Sequence, residues 1–144
     1  MSAPVAVREV MTVGAECAQV NETLASVASR MRDLGIGAMP LCGEDGLLVG
    51  MVTDRDIVVR CVAAGCDPDG VTVRQFAGAR PVTVEAGASL EEAVDAMVAA
   101  GVRRLPVVEE HELVGMLSLA DVVGHLPAER TAEVLRAICD RPPG

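Results

Sequence analysis

The sequence predicts an α+β protein of two β-α-β-β-α repeats packed as a pseudo-twofold pair, each a three-stranded mixed sheet covered by two helices. Three observations carry this expectation. The second half of the chain repeats the first in register, each half pairs a helical apolar stripe with short apolar strands, and glycines and capping residues punctuate the halves at equivalent places.

A constant offset brings Val73-Arg74 onto Val7-Arg8, Leu90 onto Leu24, Met97 onto Met31, Gly101 onto Gly35 and Pro106 onto Pro40. After Pro106 the offset shortens by one residue, and Val114-Gly115-Met116 falls on Val49-Gly50-Met51 and Asp121 on Asp56. One residue is lost from a hairpin loop. The unit is half the chain, which gives two copies and no solenoid.

Each element has a local cause. Short strands are expected near Cys17 to Val20 and Pro81 to Val84. Leu24, Val27, Ala28, Met31 and Leu34 keep the spacing of an amphipathic helix, as do Leu90, Ala93, Val94, Met97 and Val98. Ser89 with Glu92 forms a capping box, and Gly35 and Gly101 stop the two helices. Hairpins follow: Met39 to Cys42 with Leu47 to Val52, and Leu105 to Val108 with Leu113 to Leu117. The turns between them fall at Glu44-Asp45-Gly46 and at Glu109 to Glu112, the latter placing His111 in solvent. A last helix carries Ile57, Val58, Cys61 and Val62 in one copy, and Val122, Val123 and Leu126 in the other. The β-α-β part is a right-handed crossover with parallel strands, and the hairpin adds an antiparallel third. Met31, Met51, Met97 and Met116 are expected in the core.

The domain boundaries expected are 1–66 for the first repeat with its N-terminal segment, 67–126 for the second, and 127–144 for a C-terminal helix and tail. Cys66-Asp67-Pro68-Asp69-Gly70 reads as the turn-rich connection.

Composition limits the functions. The 144 residues are 51% hydrophobic, yet no apolar run approaches the roughly 18 residues of a membrane span. The N-terminus lacks the basic and apolar regions of a secretory signal, so the chain is expected to be cytoplasmic and to have no membrane partner. With 12 Lys+Arg against 21 Asp+Glu and a net charge of -9, a basic face for nucleic acid is not expected. Phe76 is the only aromatic, which excludes a base-stacking platform. The apolar excess on a short chain favours a homodimer. No activated nucleophile or phosphate-binding glycine motif is present, and His111 and His125 belong to no obvious triad, so the chain is not expected to be an enzyme.

Gly50-Met51-Val52-Thr53-Asp54-Arg55-Asp56-Ile57 and Gly115-Met116-Leu117-Ser118-Leu119-Ala120-Asp121-Val122 resemble the signature of cystathionine-β-synthase-type (CBS) domains: a glycine in the third strand, then Thr or Ser, two residues, and Asp at the start of the last helix. Ile36-Gly37-Ala38-Met39-Pro40 and Val102-Arg103-Arg104-Leu105-Pro106 match the start of that family's second strand. The resemblance runs from about Val5 to Leu126. It implies a non-enzymatic regulatory or sensor module that binds an adenosine-containing ligand in a cleft between the repeats. Asp56 and Asp121 would hold ribose hydroxyls. Thr53 and Ser118, with Arg55, Arg103 and Arg104, would lie at the phosphate. Gly37, Ala38, Met39, Thr83 and Leu105 would line the adenine side. AMP, ADP, ATP and S-adenosylmethionine are the candidate ligands, with no cofactor required and no metal expected.

The chemistry is coherent, because a carboxylate accepts two hydroxyl donors and a helix N-terminus welcomes phosphate. Thr53 with Asp56 and Ser118 with Asp121 fit capping boxes equally well, in which case they only satisfy helix-end N–H groups. The alternative function is therefore a structural or protein-interaction module with vestigial sites and an unidentified protein partner. Ile36-Gly37-Ala38, Thr53 to Val58, Ala63-Ala64-Gly65, Val102-Arg103-Arg104 and Ala137-Ile138-Cys139 resemble stand-alone pairs of this family, which implies an association with stress or dormancy.

Five cysteines show no CxxC pair and no zinc-ligand spacing. Cys17 and Cys42, which the same resemblance includes, fall on neighbouring parallel strands. They are a candidate disulfide that would make the first site structural, against free thiols in a reducing compartment. Cys61 and Cys139, set on helices, are expected to remain unpaired within the chain. Thr83 aligns with Cys17, a departure that sets the two repeats apart.

Overall fold

The helices form where the sequence supplies both a cap and an apolar stripe. In this computed structural model, which describes residues 4–14, 16–76 and 81–140, α1 (Leu24–Leu34) is capped by Thr23, whose side chain accepts the Ser26 N–H. α3 (Leu90–Ala100) starts with the expected Ser89–Glu92 capping box. Both end on a left-handed glycine, Gly35 at φ 68° and Gly101 at φ 69°. The expected N-terminal residues 1–3 and the tail 141–144 lie outside the described residues.

The chain forms two units, Glu16–Pro81 and a second made of Met1–Ala15 with Val82–Gly144. In the first, β2 (Ala18–Gln19) lies parallel to β3 (Ala38–Cys42), which pairs antiparallel with β4 (Leu48–Thr53). Leu24, Val27 and Met31 of α1 pack with Met39, Leu41, Val52, Cys61, Val73 and Phe76 into its core. After β4 a short helix α2 (Asp54–Asp56) runs directly into a π-helical stretch, Ile57–Val62.

The second unit repeats this order with β5 (Val84–Glu85) parallel to β6 (Arg104–Glu109), itself antiparallel to β7 (Glu112–Ser118). The lost loop residue is visible here: Glu110 and His111 form a two-residue turn with φ 52° and 71°, the hand that hairpin strands require, and His111 is exposed. α4 (Leu119–Val123) and α5 (Ala128–Cys139) follow. Val134 and Ile138 of α5 are buried in the same core as Leu90, Val94, Met97, Leu117 and Val122, so this helix is part of the unit. Arg130 of α5 ties it to α3 through Glu91 at 3.3 Å and Asp95 at 3.1 Å.

Besides α5, two further segments depart from the expected boundaries. The N-terminal segment belongs with the second repeat: Val7 N–H donates to Ala88 C=O at 2.8 Å, Arg8 N–H to Ala86 C=O at 2.9 Å, and Val7 is fully buried in that core. β1 (Thr12–Val13) adds a fourth strand beside β7. Conversely, Val73 N–H and Arg74 N–H donate to Glu22 and Val20 carbonyls, which places the Val73–Phe76 turn in the first unit. Each apolar turn thus fills the core of the repeat that does not follow it directly.

Several apolar residues lie nearer the surface than the apolar spacing suggests. Of the apolar residues assigned to the last helix of the first repeat, Cys61 alone is buried; Val58 and Val62 are 57% and 61% exposed, because the π-helical stretch turns them outward. Leu34, assigned to the apolar stripe of α1, is 46% exposed. Met31 and Met97 are core residues, whereas Met51 and Met116 are half-buried.

Candidate functional site

Each unit brings the start of its second strand against the end of its third, and the expected ligand groups collect there. In the first unit Ala38 lies opposite Thr53, and Asp54 N–H donates to Gly37 C=O at 2.9 Å. In the second, Arg104 lies opposite Ser118, and Leu119 N–H donates to Arg103 C=O at 2.8 Å. The same backbone bond therefore ties the start of the second strand to the start of the last helix in both repeats. Met39 and Leu105 are fully buried, so their side chains belong to the cores and only their backbone can face a ligand.

Both capping boxes are formed. Thr53 Oγ1 accepts Asp56 N–H at 3.1 Å while Asp56 Oδ2 accepts Thr53 N–H at 2.9 Å. Ser118 Oγ accepts Asp121 N–H at 3.1 Å while Asp121 Oδ2 accepts Ser118 N–H at 3.0 Å. Capping uses one oxygen of each carboxylate. The other, Oδ1, accepts no hydrogen bond from the described residues, and both aspartates keep part of their surface in solvent.

The arginines behave differently from one another. Arg55 and Arg104 are exposed. Arg103, although exposed, places its guanidinium 3.3 Å from the Cys139 sulfur at the end of α5. Thr83 is exposed just before β5, which neighbours the strand of Arg104 and lies two strands from that of Ser118. Nothing in the sequence pointed to Cys139, which is distant in the chain and reaches Arg103 only through the docking of α5. Asp54 was also missed: its carboxylate lies over Gly37, where an added Cβ would sit 3.0 Å from Oδ2. A side chain at position 37 would have to displace that carboxylate.

In the first unit a cavity of about 500 Å³ opens beside Met31, Arg32, Ile36, Gly37, Asp54 and Val58. It includes Gly37 from the expected adenine side, while Thr53 and Asp56 are not among its lining residues.

Cys17 and Cys42 are both free thiols, and burial together with the neighbouring Cys17 pushes the Cys42 thiol up to about 12. Arg30 frames this edge. Its guanidinium donates to Glu16 at 2.7 Å, to Glu22 at 2.9 Å and to the Cys17 carbonyl at 3.1 Å. The bond to Glu16, assisted by Glu22, raises the Arg30 pKa despite partial burial.

The CBS domain family profile matches residues 7–62 and 73–128. Hypoxic response protein 1 of Mycobacterium tuberculosis is 43% identical over 132 residues, 92% of each chain. The crystal structure of Hypoxic Response Protein I with two coordinated zinc ions superimposes with a TM-score of 0.79 at 44% identity, over 85% of this chain and all of that one. Among the described residues here, no three His, Cys, Asp or Glu side chains are grouped to hold a metal. The CBS domain protein PAE2072 from Pyrobaculum aerophilum, complexed with AMP, gives a TM-score of 0.76 at 24% identity over 92% of this chain and 99% of that one. Two in-register copies of the signature, two repeated units and a near full-length relative agree: the chain belongs to the CBS domain family and carries two CBS domains.

Proposed function

We propose that the chain is a non-enzymatic regulatory module that binds an adenosine-containing ligand, an adenine mononucleotide first among them, at the paired strand ends of its repeats. The observation that carries this reading is the division of labour in Asp56 and Asp121. One oxygen holds the cap, and the other remains for a ribose hydroxyl. Capping and ligand binding are then compatible uses of the same carboxylate. Support comes from the backbone link between Gly37 and Asp54 and between Arg103 and Leu119, and from the AMP complex of a relative with this fold. The second repeat is the better candidate because it has Thr83, Ser118, Arg103 and Arg104, whereas the first has Cys17 where Thr83 aligns.

A thermal-shift panel of AMP, ADP, ATP, NAD and S-adenosylmethionine tests the reading, because a ligand that prefers the folded state raises the melting temperature by mass action. A rise with AMP near saturation is expected. No rise with any member retires the sensor.

A second reading is favoured by a different observation. Val58, Val59 and Val62 are about half exposed or more, with Leu34 and Ile36 also exposed in the same unit. Such a surface fits a homodimer contact, and a chain with vestigial sites would act through it as an interaction module in a stress or dormancy setting. No described helix is long and apolar enough to cross a membrane, and we place the module in the cytoplasm.

A further inference from the structure

Cys61 and Cys66 meet at the end of the helical stretch that begins at Thr53. Gly65, at φ 77°, reverses the chain in the left-handed conformation. Cys66 N–H donates to Cys61 C=O at 2.9 Å and Gly65 N–H to Val62 C=O at 3.1 Å, the two bonds of a six-residue helix cap. In such a cap the first and last residues face each other, and here both are cysteines. Their shared peptide hydrogen bond limits the Cα separation to roughly 6.8 Å, within the span of a disulfide. The Cys61 thiol donates to the Cys66 carbonyl oxygen at 3.4 Å, so its sulfur is turned toward Cys66. Cys61 is a free thiol on the helix, as expected, and the cap folds Cys66 back toward it.

We propose that Cys61 and Cys66 form a reversible intrachain disulfide, a covalent modification site that reacts with low-molecular-weight disulfides and staples the C-terminal cap of this helix. Access sets the order of steps. Cys61 is fully buried, while Cys66 is partly exposed. The Cys66 thiolate attacks one sulfur of the reagent, whose S–S bond breaks and whose departing thiolate takes up a proton. Cys61 then loses its proton and attacks the Cys66 sulfur, and the second reagent thiolate leaves and is protonated. The two protein thiols are oxidised by two electrons, and one disulfide molecule is reduced to two thiols. Burial and the neighbouring thiol push Cys61 up to about 11, so the first attack on the reagent falls to Cys66 and Cys61 reacts only once the mixed disulfide is held beside it. The pair is independent of the nucleotide reading.

The test uses the full chain, reduced and then exposed to oxidised glutathione, quenched with iodoacetamide and digested with trypsin. Cleavage after Arg60 and Arg74 leaves Cys61 and Cys66 on one peptide, while cleavage at Arg30, Arg32 and Arg55 separates Cys17 from Cys42. The expected result is loss of both alkylations on peptide 61–74, with a mass two hydrogens below the reduced form. In Cys61→Ala, Cys66 should instead retain a glutathione adduct that the wild type resolves. Two alkyl groups on the wild-type peptide after treatment, or a lasting glutathione adduct on wild-type Cys66, overturns the proposal. The wild-type peptide decides the question even where the variant folds poorly.

Discussion

Replacing Asp121 with Asn separates the cap from the ligand site, because the structure gives the two functions different atoms. An asparagine carbonyl can still accept the Ser118 N–H that Asp121 Oδ2 accepts at 3.0 Å, and the backbone N–H of position 121 still reaches Ser118 Oγ. What the cap loses is negative charge in the first helical turn, about 0.3–1 kcal/mol. What a bound ribose loses is a charged acceptor, about 1.5–3 kcal/mol, or roughly 10- to 150-fold in affinity. Asp121→Asn should therefore shift the thermal melt only slightly while weakening AMP measurably. Isothermal titration of wild type and variant beside thermal melts reads both quantities. A variant that binds AMP as tightly as wild type refutes the assignment of Asp121 Oδ1 to ribose. A wild type silent to the nucleotide panel, paired with a melting loss in the variant, leaves capping as the whole role.

Gly115→Ala should destabilise the second unit by about 1–3 kcal/mol, since its Cβ would meet the Thr12 carbonyl oxygen at 2.7 Å and part β1 from β7; denaturant melts measure it, and an unchanged midpoint contradicts the close approach. Cys42 and Cys61 have folded pKa values near 12 and 11 against an ordinary 9.0. Above pH 9 the unfolded thiols release protons that the folded ones retain, so stability should be intact below pH 9 and fall as pH rises through the folded values. Melting temperatures across this window check it, and Cys42→Ala should flatten the decline. Val62→Glu places charge on an exposed apolar face and should shift sedimentation from a dimer toward the 14.9 kDa chain, whereas a wild type already monomeric removes the dimer.

The sequence alone settled whatever depends on neighbours along the chain. The repeat, the stop glycines and the Ser89–Glu92 box were legible because caps are made by residues three or four apart and left-handed turns favour glycine. The Thr53–Asp56 and Ser118–Asp121 pairs were legible as boxes for the same reason, though their spacing was compatible with both uses. Only folding showed that each carboxylate commits one oxygen to the cap. Periodicity does not foresee that Val58 and Val62 face outward, because it assumes an α-helical turn, whereas this stretch is π-helical. The six-residue cap that joins Cys61 to Cys66 was in the sequence as Cys-Val-Ala-Ala-Gly-Cys, but it becomes a thiol contact only once Gly65 takes its positive φ. The transfer of Val7 to the second repeat's core and the approach of Cys139 to Arg103 had no local signal at all. Those contacts join residues far apart in the chain, and tertiary packing decides them, because burying Val7 and docking α5 bring together groups that local propensity leaves apart.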